Sequence, residues 1–283
     1  MLSYPNINPV ALQLGPLKVH WYGLGYLAGF MAAWWLGRRR ALQPHSPLKP
    51  EQMEDLIFYC ALGVVLGGRI GYVLFYNLPS FLDNPLIIFR IWEGGMAFHG
   101  GLLGVLLAIW LFGRKLGRGF FEVADFVAPL VPLGLLCGRL GNFINAELWG
   151  APTSSALGMR VGCTHNSTTL ELCERVGTSA DGLWSVPVHP SQLYQAGLEG
   201  LALFVLLWWF SSRPRPRMAV SGLFLLGYGL ARFLVEFIRM PDIQLGYLAF
   251  DWLTMGQLLS LPMILFGLLL LVIANKTPAQ AKK

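Results

Sequence analysis

The chain has 283 residues, of which 55% are hydrophobic and only 13% charged, with 21 Lys and Arg against 15 Asp and Glu. A mean hydropathy of +0.55 is too apolar for a soluble domain of this length and excludes an ordinary soluble enzyme. The net charge of +6 sits in short loops without aromatic interleaving, which also excludes a nucleic-acid surface.

Charge-poor windows close to the ~20 residues a bilayer requires recur along the chain. Val19 to Gly37 is the first. Leu56 to Leu82 is broken only by Arg69, and Gly94 to Gly113 holds His99 but no charged side chain. An apolar run from Phe126 ends at Arg139. Val186 to Ser212 carries only His189 and Glu199, Met218 to Ile238 only Arg232 and Glu236, and Leu253 to Asn275 is uncharged. These seven windows predict an all-α fold: a polytopic membrane bundle of seven transmembrane helices forming one integral domain over residues 1–283. The longest connection, Phe143 to His189, is rich in Gly, Ser and Thr and reads as a small extracytoplasmic head within that domain.

Basic residues set the orientation. Arg38, Arg39, Arg40 and Lys49 follow the first window; Arg114, Lys115 and Arg118 the third; Arg213, Arg215 and Arg217 the fifth; Lys276, Lys282 and Lys283 the seventh. If the spans alternate, these 13 of 21 basic residues share one side, and the positive-inside rule makes that side the cytoplasm. The N-terminus is then outside and the C-terminus inside. No basic region or A-x-A-like site precedes the first window, so no cleavable signal peptide is expected.

With that topology Tyr22, His99, Arg139, Asn142, Arg232 and Glu236 all fall at outer ends of spans, and Arg69 lies about two-thirds of the way up the second. Charge inside a membrane is costly and generally has a partner or an anionic ligand. Tyr228, Arg232 and Glu236 stand at i, i+4 and i+8 on one helix stripe. Arg232 and Glu236 either neutralise each other there, or Glu236 orients a guanidinium that holds phosphate bidentately. Arg139 has no carboxylate one turn away on its own helix, so two arginines sharing one carboxylate would leave a net positive site for an anion. Asn142, three residues on, shares its face. Glu147, Trp149 and Gly150 follow where the helix should break.

His99 lies between glycines in Glu93-Gly-Gly-Met-Ala-Phe-His-Gly-Gly101 and is a candidate proton acceptor or substrate-positioning group. Arg69, with Tyr72 and Tyr76 on adjacent turns, reads equally as a structural residue or as one reaching lipid headgroups or the extracytoplasmic head. The spacings Gly25/Gly29, Gly67/Gly71, Gly100/Gly104 and Gly134/Gly138 predict close helix packing. Cys60 and Cys137 lie within spans, whereas Cys163 and Cys173 lie ten apart in the outward segment, where an oxidising compartment would join them. No His, Cys, Asp and Glu set has zinc-like spacing, and no metal is expected.

Gly138-Arg-Leu-Gly-Asn-Phe-Ile-Asn-Ala-Glu-Leu-Trp-Gly150 closely resembles the signature of bacterial phosphatidylglycerol–prolipoprotein diacylglyceryl transferases. The resemblance extends to His20-Trp-Tyr-Gly23, Gly67-Gly-Arg-Ile-Gly-Tyr72, Gly94-Gly-Met-Ala-Phe-His-Gly-Gly101 and His189-Pro-Ser-Gln-Leu-Tyr194. It continues through Tyr228-Gly-Leu-Ala-Arg232 and Glu236-Phe-Ile-Arg-Met-Pro-Asp242. The blocks keep the family's order over almost the whole chain; Thr153 to Pro187, with its cysteine pair, departs from the family pattern.

The resemblance implies a bacterial inner-membrane enzyme without a cofactor. It would move the diacylglyceryl group of phosphatidylglycerol onto the lipobox cysteine of a prolipoprotein and release glycerol phosphate. It places the catalytic residues at His99, Arg139 and Arg232. Substrate-binding positions fall on Tyr22, Arg69, Asn142, Glu147, Gly150, Tyr228, Glu236 and Arg239.

Overall fold

Backbone in lipid has only itself to hydrogen-bond with, so long apolar runs fold as helices. The computed structural model describes residues 2–241 and 246–276, the side chains of Leu17 and Glu93 excepted, and is mostly helical. In chain order come strands β1 (Leu2–Ser3), β2 (Val10–Leu14) and β3 (Leu17–His20). Helices α1 (Trp21–Ala41), α2 (Gln52–Tyr76), α3 (Leu78–Asp83), α4 (Phe98–Lys115), α5 (Phe120–Val127) and α6 (Val131–Ile144) follow. After strand β4 (Met159–Arg160) and helix α7 (Ser167–Val176), α8 (Ser191–Gln195) runs through a π-helical turn, Ala196–Ala202, into α9 (Leu203–Phe210). The last helices are α10 (Ala219–Glu236) and α11 (Met255–Lys276).

Among the described residues, five stretches are long and apolar enough to cross a membrane: Gln52–Tyr76, Phe120–Ile144, Ser191–Phe210, Ala219–Glu236 and Met255–Lys276. The first and third windows are helical as α1 and α4. Span ends depart from the apolar windows for identifiable reasons. Helix α2 starts before its window because its acidic first turn is paired: Glu54 with Arg38 at 2.5 Å and Asp55 with Lys115 at 3.3 Å. It stops at Tyr76 because Pro79 follows and cannot continue it. Helix α11 begins where Thr254 and Gln257 cap each other, each backbone N–H donating to the other's side-chain oxygen at 3.0 and 3.2 Å.

Two small sheets were not foreseen. Strands β2 and β3 form an antiparallel hairpin around Gly15, and β1 pairs in parallel with β4. The C-terminal Lys282 and Lys283, and Asp242 of the last motif, lie outside the described residues.

The chain divides into two units, one made of the described residues up to Ala33 and from Ala128 onward, the other of Trp34–Val127. In the second unit, α2 and α4 pack backbone to backbone. A Cβ on Gly63 would come 2.5 Å from the Gly104 carbonyl, and one on Gly67 would strike the Gly100 carbonyl. In the first unit, α10 and α11 meet at Gly267, whose Cβ would lie 2.6 Å from Leu226 N, and the π-helical turn meets α6 where Gly200 faces Leu136. The pattern at Gly134 and Gly138 is a correction: a Cβ at either position meets nothing within 4 Å. Helix α1 nonetheless comes close to α6 here: a Cβ on Gly29 would lie 3.4 Å from the Gly134 Cα, and one on Gly25 3.4 Å from the Cys137 carbonyl oxygen.

The segment between α6 and α8 has its own core. Tyr4, Ala146, Trp149, Met159, Val161, Leu172 and Val188 are buried together, and Cys163 and Cys173 are paired as a disulfide beneath the surface. The N-terminal strand and the turn after α6 thus share one apolar cluster.

Candidate active site

The end of α6 is built around four carbonyls. Each would be an orphan acceptor where the helix stops. Tyr4 Oη donates to Ile144 O at 2.8 Å, and Trp149 Nε1 to Ala146 O at 2.9 Å. Gln192 Nε2 donates to Glu147 O at 2.5 Å and Ser191 Oγ to Leu148 O at 2.7 Å. Burial pushes the Tyr4 hydroxyl above its ordinary range, which keeps it a donor. These ties hold Ala146 and Leu148 in the left-handed region, at φ 56° and 61°, a conformation that costs non-glycine residues roughly 1–2 kcal/mol each.

The turn folds Glu147 back towards its helix, where Asn142 Nδ2 donates to its carboxylate at 2.7 Å and Asn145 Nδ2 at 3.4 Å. Gly150 then forms an antiparallel bridge with Arg239, and its N–H donates to His189 O at 2.8 Å. A Cβ there would lie 2.5 Å from Ile238 O and 2.8 Å from His189 Cβ, so Gly150 serves through its backbone.

Arg139 does have a carboxylate, brought by another helix. Its Nε and Nη2 donate to Glu199 Oε2 at 3.3 and 3.1 Å, and Glu199, on the π-helical turn, is fully buried. This corrects the expectation of a single carboxylate shared by two arginines. The signal was in the sequence: Glu199 is the only acid in its apolar window, and a lone buried acid calls for a cation. Arg232 pairs with Glu236 at 3.1 Å on α10, and Arg239 approaches the same oxygen at 3.7 Å. The Glu236 carboxylate also lies over Gly256 in the first turn of α11, where a Cβ would come within 2.7 Å of it and helix dipoles favour an anion.

Tyr228 lies within electrostatic reach of Glu199, Arg139 and Arg232, and so joins the two ion pairs. Tyr22 packs its ring on Gly141, where a Cβ would meet Cδ2 at 2.5 Å, and is within reach of Glu147 and Arg139. One nitrogen of the cluster is left over: Arg232 Nη1 is buried and has no hydrogen-bond partner among the described residues. The first unit therefore gathers Tyr22, Arg139, Asn142, Glu147, Gly150, Tyr228, Arg232, Glu236 and Arg239, and adds Glu199.

Arg69 and His99 belong to the second unit. All three guanidinium nitrogens of Arg69 donate to backbone carbonyls: Nε to Ile88 at 3.1 Å, Nη1 to Gly94 and Gly95 at 2.5 and 3.3 Å, and Nη2 to Ile87. Gly94 and Gly95 sit at φ 81° and 79°, which turns their carbonyls to the guanidinium, and a Cβ on Gly95 would strike the Tyr72 ring. Buried and bonded in this way, Arg69 ties Ile87, Ile88, Gly94 and Gly95 together and so holds the loop. The loop it fixes leads directly into the first turn of α4, where His99 is exposed, in edge contact with Phe98 and without a hydrogen bond to any described residue. Among the described residues no three His, Cys, Asp or Glu side chains form a group able to hold a metal ion.

Residues 9–273 match a family model described as prolipoprotein diacylglyceryl transferase. Curated relatives named phosphatidylglycerol–prolipoprotein diacylglyceryl transferase align over nearly their full length. The protein of Methylococcus capsulatus is 60% identical, covering 97% of this chain and 98% of its own. That of Oleidesulfovibrio alaskensis is 58% identical over 99% and 98%, and that of Azotobacter vinelandii 59% identical over 94% of each.

Proposed function

This chain belongs to the prolipoprotein diacylglyceryl transferase family, and from that premise we propose that Arg139 and Arg232 hold the phosphate of phosphatidylglycerol during transfer. The protein is a multi-pass membrane transferase that moves the diacylglyceryl group of phosphatidylglycerol to prolipoproteins. The acceptor is the lipobox cysteine. Its sulfur attacks the glycerol carbon that bears the phosphoester, a C–S bond forms as the C–O bond breaks, and the electron pair leaves on glycerol phosphate. The thiol proton goes to a base.

The observation that carries this reading is the buried Nη1 of Arg232, without a partner among the described residues, while Arg139 and Arg232 are each already held by a carboxylate, Glu199 and Glu236. A guanidinium N–H buried without an acceptor is costly, and a phosphate oxygen supplies one. Negative charge grows on the departing phosphate, so fixed cations in a dry site lower the barrier. Arg239 supports Glu236, while Tyr228 and Tyr22 line the cluster. Asn142 and Glu147 act as one hydrogen-bonded group, and Gly150 fixes the strand that carries Arg239. A thiol with an ordinary pKa of about 8.5 is mostly protonated at neutral pH. His99 is the proton acceptor in this reading, on the strength of imidazole chemistry and the resemblance.

The topology proposed with it has seven spans, α1 and α4 included, with the N-terminus and the α6–α8 segment outside and the C-terminus in the cytoplasm. The one-sided distribution of basic residues supports it. The Cys163–Cys173 disulfide is consistent with an outward segment.

The test uses purified protein in detergent with phosphatidylglycerol and a synthetic lipobox peptide. Glycerol phosphate release and a diacylglyceryl mass gain should both require the peptide thiol and Arg139. Equal product with a Cys→Ser peptide or with Arg139→Ala would overturn it.

A further inference from the structure

Span Ser191–Phe210 buries an unusual set of atoms. Gln192, Gln195 and Glu199 are all fully buried. Among the described residues, both ends of the Gln195 carboxamide, Nε2 and Oε1, have no hydrogen-bond partner, and neither do Gln192 Oε1 and Glu199 Oε1. Swapping the amide ends of Gln195 changes nothing, because neither is satisfied. Gln192 is fixed, since its Nε2 must donate to Glu147 O. Residues three and four apart lie about 5–6 Å from one another on a helix, so the three side chains form one stripe. Its far end is the carboxylate that grips Arg139.

Orphaned polar atoms in a packed interior are rare and destabilising, and four on one stripe point to a bound group that completes them. The chemistry of that group can be read from what is missing. Three of the four orphans are acceptors and one is a donor. A phosphate offers acceptors only and suits the arginines, not this stripe. Hydroxyls donate and accept, and more than one is needed.

We infer that Gln192, Gln195 and Glu199 Oε1 form a subsite for the hydroxyls of the glycerol head group, with Gln195 as its specificity-determining residue. This deepens the proposed function and rests on it: the phosphate sits on Arg139 and Arg232, and the glycerol beyond it lies along the stripe. The same contacts bind the head group as part of the lipid and as departing glycerol phosphate. Lipids whose head groups lack hydroxyls leave the acceptors buried and unpaired, and discrimination follows.

The experiment compares phosphatidylglycerol with phosphatidyl-1-propanol, which carries the same diacylglyceryl group and phosphoester but neither free hydroxyl. Transfer to a lipobox peptide is followed in detergent for wild type, Gln195→Leu and Gln195→Met. Wild type should favour phosphatidylglycerol in kcat/KM by at least about tenfold. Both variants should lose most of that preference, their kcat/KM falling about tenfold more on phosphatidylglycerol than on the propanol lipid. In lipid-free detergent both should melt no lower than wild type, because they remove two unpaired buried atoms. Added glycerol phosphate should inhibit wild type more strongly than the variants.

An unchanged preference would overturn the inference and leave the orphaned atoms to water. Lower melting with equal loss on both lipids would overturn it in favour of a packing role. If wild type forms no product from either lipid, the functional reading itself falls and this inference with it.

Discussion

Arg139 Nε and Nη2 both donate to a single oxygen of Glu199, a residue 60 positions away on another helix. The pair fixes the guanidinium plane and leaves the other edge of Arg139 clear of that carboxylate. Replacing Glu199 by Gln keeps an acceptor but removes the charge. Glu199→Gln is expected to fold, with turnover reduced about 10- to 100-fold and KM for the peptide little changed. Glu199→Ala breaks a largely buried pair and should destabilise by about 3 kcal/mol or more, read as a lowered melting temperature in detergent. Wild-type turnover in Glu199→Gln would remove Glu199 from the mechanism.

Arg69 makes its prediction through a loop. Four carbonyls, of Ile87, Ile88, Gly94 and Gly95, lose their donor in Arg69→Ala. Arg69→Lys cannot span them, because an ammonium is a point donor and not a fork. Both variants should speed proteolytic cleavage between residues 84 and 96, with Ala the worse. A loop equally protected in Arg69→Ala would show that the guanidinium is dispensable there.

Gly150→Ala should lose at least about tenfold in activity and melt lower, since its Cβ meets a carbonyl and a Cβ, neither able to swing aside. Gly134→Ala, with nothing within 4 Å, is the control and should melt at or above the wild-type temperature. Similar behaviour of the two variants would contradict the packing described at Gly150.

The disulfide closes a short loop over α7. Cys163→Ser or mild reduction is expected to cost about 2–3 kcal/mol in the stability of the α6–α8 segment. Because Ala146 and Trp149 share that segment's core, activity should fall on warming earlier than in the oxidised protein. Identical thermal inactivation of both forms would detach the core from the site.

His99 is exposed and makes no hydrogen bond to the described residues, so His99→Gln should leave the melting temperature unchanged. If imidazole takes the thiol proton, turnover falls by 100-fold or more. Most of the activity surviving would reduce His99 to a positioning role.

What the sequence revealed, and what it hid, divide along physical lines. Leu253 to Asn275 and its neighbours were legible because a bilayer permits only helices over uncharged runs. The ends were not, since Glu54 and Asp55 enter α2 through pairings with Arg38 and Lys115 that no local pattern displays. Arg232 and Glu236 could be paired because they share a helix. Glu199 could not be matched to Arg139, because tertiary packing alone brings them together. The hairpin β2–β3 was hidden inside the approach to an apolar window, although Gly15-Pro16 between Val10-x-Leu12-x-Leu14 and Val19 carried its signal.

The π-helical turn Ala196–Ala202 has a consequence for how this span tolerates change. A wide turn accommodates one residue more than the helix around it needs, and each residue in a helix advances the side-chain direction by about 100°. Deleting one residue there would let the span close up as ordinary α-helix, still long and greasy enough for a bilayer. Because the wide turn absorbs that residue locally, Gln192 and Gln195 before it and Leu203 and Leu207 after it would keep their directions. What changes lies inside the turn, where Glu199 holds Arg139, and its carboxylate would be re-aimed. In this segment membrane insertion and the aim of the buried carboxylate are separable properties. A deletion would spare the first and disturb the second.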